Sequence, residues 1–131
     1  MDEQEFKKRT KQMALRVIRL VEALPKSQTA DVIGKQLLRS ATSVGANYRA
    51  ACQGKSTADV IAKLCIVEEE ADESLYWMEL LIEADIVAAT NLKSLMSEIN
   101  EVLAMTVASI KTLRSKARQT PMPNSKFKSQ N

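Results

Sequence analysis

Histidine is missing from all 131 residues. Without it there is no imidazole to serve as general base, proton shuttle or metal ligand near neutral pH. A di-metal centre built on Glu-x-x-His is excluded on the same ground. Glycine and proline occur three times each, which leaves little material for loops that cradle phosphate. Gly34-Lys35 is followed by Gln36 and has no glycine five residues upstream, so it reads as part of a helix and not as a P-loop. Cys52 and Cys65 stand far apart in no paired motif, and a thiol nucleophile has no partner base in view. The opening MDEQEFKKRT does not read as a secretory leader, and a reducing cytoplasm is the expected setting. No apolar run is long enough to cross a bilayer, so no membrane partner is expected. The chain is therefore expected to carry no catalytic residue, no cofactor and no metal.

What is present favours helices. Ala, Leu, Lys, Glu and Met dominate, and β-branched alternation is nearly absent. Asp2 with Glu5 suits a capping box, and Phe6, Met13, Val17, Leu20 and Leu24 then recur at helical spacing up to Pro25. A second segment opens near Ser27 to Thr29. Ala30, Leu37, Val44 and Ala51 stand seven apart in it, with Gly34, Ala41 and Tyr48 interleaved, and it runs to Gly54, a C-terminal signal. Ser56 with Asp59 starts a third, whose seam is Ile61, Leu64, Glu68, Ala71, Leu75, Met78 and Ile82. A fourth begins around Thr90 or Asn91 and carries Leu92, Leu95, Ile99, Val102, Thr106, Ile110 and Leu113.

The spacing predicts helices over about 3–24, 28–54, 57–84 and 91–117, in one domain over 1–118. Residues 119–131 are expected to form a flexible basic tail. Short connections favour an all-α, antiparallel up-down-up-down four-helix bundle.

The second segment is unusually polar and small. Arg39, Ser40, Thr42, Ser43, Asn47 and Arg49 crowd a stretch whose periodicity is that of a buried helix. Small residues at Gly34, Ala41, Gly45 and Ala51 would let helix backbones approach, with Leu64, Leu75, Trp77 and Met78 filling space from the third helix. Glu68 occupies a seam position where an apolar residue is expected. Arg39 is expected to pair with Glu68 or Asp72, with Asn47 or Ser43 completing a buried network, since an unpaired buried polar group is costly.

The run ALPKSQTADVIGKQLLRSATSVGANYRAA, followed by IAKLCIVEEEADESLYWMELL, resembles a bacterial four-helix-bundle family. Its members include proteins encoded by intervening sequences within large-subunit ribosomal RNA genes, and the accessory variability protein of diversity-generating retroelements is a relative. The marks are Leu24-Pro25, Gln36-Leu37 with Arg39, Ser43-Val44 with Asn47, and Glu70 and Glu73 with Tyr76 and Trp77. They span about Ala23 to Glu83. The resemblance implies a bundle that assembles as a ring-shaped homopentamer in a non-enzymatic role. In the retroelement branch it implies nucleic acid and a reverse transcriptase as partners. Many members follow the Asn with Ile and a Glu-Gly pair, whereas Tyr48-Arg49-Ala50-Ala51 stand here.

The net charge of +3 hides a division. Residues up to Pro25 sum to +2, Lys26 to Lys55 to +4, Ser56 to Val87 to −8, and the remainder to +5. In an up-down-up-down bundle one end would gather Lys7, Lys8, Arg9, Lys11, Arg49, Lys55, Lys63, Lys111, Arg114, Lys116, Arg118, Lys126 and Lys128 against Asp2, Glu3, Glu5 and Asp59. Such an end is suited to a phosphate backbone, RNA or DNA, with a steep salt dependence. Cations near helix C-termini also answer the helix macrodipole. Phe127, between Lys126 and Lys128, is a candidate for stacking on a base. The acidic run Glu68 to Glu73 reads as a solvated or subunit-contacting face, with Arg16 and Arg19 of an adjacent helix or subunit as candidate counterions. Tyr76 and Trp77 face different directions on one helix, and in an oligomer they are candidate interface anchors. The expectation is an oligomeric scaffold that binds nucleic acid, the alternative a protein–protein adaptor.

Overall fold

A computed structural model describes residues 2–119. They form four helices: α1 (Glu3–Glu22), α2 (Gln28–Cys52), α3 (Thr57–Glu83) and α4 (Ala89–Gln119). There is no strand among the described residues. The tail expected from 119 begins inside α4, of which Gln119 is the last residue, and Lys126, Phe127 and Lys128 lie outside the described residues.

Three helices start on side-chain caps. Asp2 accepts from the Glu5 amide at 2.7 Å, Ser27 from Ala30 at 3.1 Å, and Ser56 from Asp59 at 3.1 Å. Each cap satisfies an amide that has no partner in the first turn. The Asp59 carboxylate also accepts from the Lys55 amide at 3.1 Å, one residue ahead of the cap.

The helix ends differ from the expected ones. α1 stops at Glu22, and the Ala23 and Leu24 amides bond back into its last turn ahead of Pro25. α4 starts at Ala89, ahead of Thr90. α2 stops at Cys52, and Gly54 does not adopt the left-handed conformation that a glycine stop normally supplies. Its role is steric: a Cβ there would lie 2.5 Å from Val60 Cγ2 and 3.0 Å from the Ala51 carbonyl. The left-handed position falls instead on Asp85, just past α3, at φ 59°. There the Ile86 and Val87 amides both return to the Leu81 carbonyl.

Each helix packs on two others, α1 on α2 and α4, and α3 on α2 and α4. The core holds Phe6, Met13, Val17, Leu37, Val44, Val67, Met78, Leu81, Ile99 and Val102. A smaller cluster of Ala51, Leu64 and Ile110 extends it toward the α2–α3 connection. Gly34 and Gly45 face α1, contrary to the expectation that they admit α3. A Cβ on Gly34 would meet Leu24 and Val21 at 3.1 and 3.3 Å, and one on Gly45 would meet Thr10 Oγ1 at 3.2 Å.

Side chains tie the neighbouring helices together. Arg9 near the start of α1 reaches Glu98, Glu101 and Met105, whereas Arg16 further along reaches Ser94. Arg39 of α2 meets Glu70 of α3 and Ser40 meets Ser74. Arg114 of α4 meets Cys65 of α3.

Candidate nucleic-acid interface

The start of α1, the end of α2 and the start of α3 meet beside the later turns of α4 at one pole. A cavity of about 680 Å³ there is lined by Glu3 of α1, by Tyr48, Ala51 and Cys52 of α2, by Val60 and Leu64 of α3, and by Met105, Ala108, Ser109, Thr112 and Leu113 of α4. α1 is the shortest helix, 20 residues against 25, 27 and 31. Its contact with α4 is also the thinnest in the fold. Burial pushes the Tyr48 hydroxyl pKa well above its ordinary value, helped by a hydrogen bond with Cys52. Burial likewise pushes the Cys52 thiol up. A neutral, raised thiol is a poor nucleophile.

Beside this cavity lies a groove between α1 and α2, about 570 Å³, lined by Lys7, Lys8, Lys11 and Arg49, with Gln4, Thr10, Ala14, Thr42, Gly45 and Ala46. No carboxylate lines it. The spacing explains its composition: Lys7, Lys11 and Ala14 fall on one side of α1, and Thr42, Gly45 and Arg49 on the facing side of α2. The groove is floored where Gly45 lets Thr10 approach, and Thr10 itself is buried, its hydroxyl satisfied by the Phe6 carbonyl at 3.0 Å. Lys7 is paired with Glu3 at 3.0 Å, whereas Lys8, Lys11 and Arg49 are exposed and make no ion pair among the described residues.

The other candidate cations are dispersed. Lys55 is exposed in the α2–α3 connection and Lys63 is half-buried on α3. Lys111, Arg114, Lys116 and Arg118 lie exposed on the last turns of α4, where Arg114 reaches the Cys65 sulfur at 3.7 Å. Arg9 is removed from the available set. It binds Glu98 through two nitrogens, at 2.8 and 3.0 Å, and Glu101 at 3.0 Å, and Glu98 chiefly, then Glu101, raises its pKa. This bidentate contact ties α1 to α4, a structural use that sequence spacing did not reveal.

The Arg39 network differs from the expected one. Arg39 pairs with Glu70 at 3.3 Å and with Glu73, not with Glu68 or Asp72. Its side chain is 48% exposed, so the contact lies on the outer edge of the α2–α3 seam and is no buried pair. Asn47 and Ser43 do not join it: Asn47 donates to the Ser43 carbonyl at 2.9 Å and Ser43 to the Arg39 carbonyl at 2.8 Å, both within α2. The polar link inside the seam is Ser74 to Ser40, 3.0 Å apart and fully buried. Trp77 donates its indole N–H to Glu73 at 3.0 Å. That bond first, and Arg39 second, holds the Glu73 carboxyl below the usual carboxylate range. Trp77 is half-buried against the core, while Tyr76 is 52% exposed and meets it edge-on, ring centroids 5.0 Å apart.

The expected counterions of the acidic run are also misplaced within one chain. The α1 and α3 backbones do not pack on each other, and Arg16 donates to Ser94 of α4 at 3.0 Å. Arg19 is exposed in the last turn of α1. Glu68, Glu69 and Asp72 form no ion pair among the described residues. No group of three or more Cys, Asp or Glu side chains among the described residues is placed to hold a metal ion. No helix there is long and apolar enough to cross a membrane.

A family profile described as 23S rRNA-intervening sequence protein matches residues 2–108. The chain belongs to that family. The match takes in most of the chain, including the whole of α1, α2 and α3, the acidic run of α3 and the α1–α2 groove, and ends within α4, ahead of Lys111. Among solved structures, the family member is similar to a protein of unknown function from the S23 ribosomal protein family of Bacteroides thetaiotaomicron. The two are 37% identical with a TM-score of 0.79, over 85% of this chain and 99% of that one. No curated protein matches.

Proposed function

We propose that this family member is a non-enzymatic, antiparallel up-down-up-down four-helix bundle that binds nucleic acid at its basic pole and works as an oligomeric scaffold. The observation that carries the reading is the α1–α2 groove, lined by no carboxylate and by four cations, of which only Lys7 is ion-paired among the described residues. Phosphate contacts there would release counterions and give affinity with little sequence preference. The family description, which names 23S rRNA, supports a nucleic-acid connection. Along α1 the partners on α4 run backward, from Glu98 at Arg9 to Ser94 at Arg16, which supports the antiparallel layout. Self-association, as a ring-shaped homopentamer, would let copies present their poles together. A nucleic-acid enzyme such as a reverse transcriptase is the partner such a scaffold would serve.

One observation favours the second reading, a protein–protein adaptor. The Arg39, Tyr76 and Trp77 side chains on the outside of the α2–α3 seam are the residue types that anchor protein interfaces. Native mass spectrometry of the purified protein, before and after nuclease, separates the two. The scaffold reading expects a co-purifying polymer that nuclease removes while the subunit count persists. A protein partner that survives digestion, with no polymer at any salt, supports the adaptor and overturns the scaffold.

A further inference from the structure

We infer that the largely apolar cavity beside the basic groove takes an unpaired nucleobase, so that the protein selects single-stranded over duplex nucleic acid. The inference rests on the reading that the groove holds phosphate. The two concavities are neighbours: Tyr48 and Arg49 are consecutive on α2, one lining the cavity and the other the groove. Lys7 lines the groove, pairs with Glu3 of the cavity wall and is near enough to Cys52 to influence its thiol. A strand lying along Lys8, Lys11 and Arg49 therefore has an opening at its side.

The opening has the chemistry of a base site. Leu64, Leu113 and the Tyr48 ring give apolar walls, and Tyr48 is backed by Phe6 with ring centroids 4.5 Å apart. Glu3, Ser109 and Thr112 place a carboxylate and two hydroxyls on the same wall set, groups able to meet the donors and acceptors of a base edge. Paired bases in a duplex keep these edges and their faces occupied, whereas an unstacked base offers both. The volume, about 680 Å³, falls in the range of small-ligand cavities, roughly 300–1,000 Å³.

The test uses the full chain and three labelled probes of equal length in fluorescence anisotropy: a mixed-sequence single-stranded RNA, the same backbone made abasic, and a duplex RNA. The intact strand is expected to bind at least about fivefold tighter than the abasic one, the lower end of what one stacked base contributes. The duplex is expected to bind no tighter than the abasic strand. Ser109→Trp and Ala108→Tyr fill the cavity from two exposed positions of α4, and each should reduce the intact strand to the abasic level while leaving abasic binding unchanged. Equal binding of intact and abasic strands, a preference for duplex, or indifference of the intact strand to both fillings overturns the inference. If Ser109→Trp changes only the oligomer mass, the cavity is a protein contact and the inference is likewise overturned. Failure of the underlying reading looks different: no probe, abasic included, would then respond to loss of Lys8, Lys11 and Arg49.

Discussion

The α2–α3 seam and the α1–α4 seam use polarity in opposite ways. The first is the most extensive contact in the fold. Its interior is apolar except for the Ser40–Ser74 pair, and its charges, Arg39 with Glu70 and Glu73, lie along the outside. The second is thin, and Arg9 with Glu98 and Glu101 is a principal tie across it. At the Glu3 end of α1 all four helices line the cavity beside the basic groove. Helix stability thus resides mainly on the α2–α3 side, and surface free for binding lies on the α1 side. A seam closed by packing tolerates little change, whereas one bridged by side chains leaves concave space.

The largest expected effect is on the closed seam. Leu37 is fully buried, and Leu37→Ala should destabilise the chain by about 3 kcal/mol in urea unfolding, through lost transfer energy and the cavity left behind. A loss below about 1 kcal/mol would break the contrast, because the site would have collapsed at little cost. Next comes Gly54→Ala, which puts a Cβ 2.5 Å from Val60 Cγ2. It should cost about 1–3 kcal/mol by overpacking the α2–α3 turn, read as a lower unfolding midpoint with unchanged denaturant slope.

The Ser40–Ser74 pair sharpens the comparison. Ser74→Ala should cost about 1 kcal/mol. The double variant Ser40→Ala with Ser74→Ala should cost less than the sum of the singles, since no orphaned hydroxyl then faces its partner. Additive singles would show that the two hydroxyls act only through their own helix carbonyls, at 3.2 Å from Leu37 and 2.8 Å from Glu70. The smallest effect lies beyond the seam. Asp85→Gly relieves a left-handed conformation at φ 59° and should stabilise by about 0.5 kcal/mol in thermal unfolding.

Local chemistry was legible in the sequence, and lateral chemistry was not. Asp2, Ser27 and Ser56 announce the helix starts because a cap acts on an amide three residues away. The apolar spacing likewise marks Leu37, Val44, Met78 and Ile99 as interior. Arg39 escaped this logic: its long side chain leaves α2 on the outer edge and takes the carboxylates of Glu70 and Glu73 there, while Glu68 lies on another side of α3. Which helix Gly34 and Gly45 admit was equally hidden, because periodicity identifies a face but not the neighbour against it. The basic groove needed both facts at once, the α1 lysines and the α2 arginine on opposite walls. Spacing within one helix carries no record of that pairing.

The central claim is that phosphate sits in the α1–α2 groove, and the salt dependence of RNA binding tests it most directly. Affinity for a single-stranded RNA is measured from low to high salt for the native chain and for the triple variant Lys8→Gln, Lys11→Gln and Arg49→Gln. The three positions are exposed, so folding should be unaffected. Losing three phosphate contacts should flatten the plot of log affinity against log salt by about two. An unchanged slope and affinity would contradict the account.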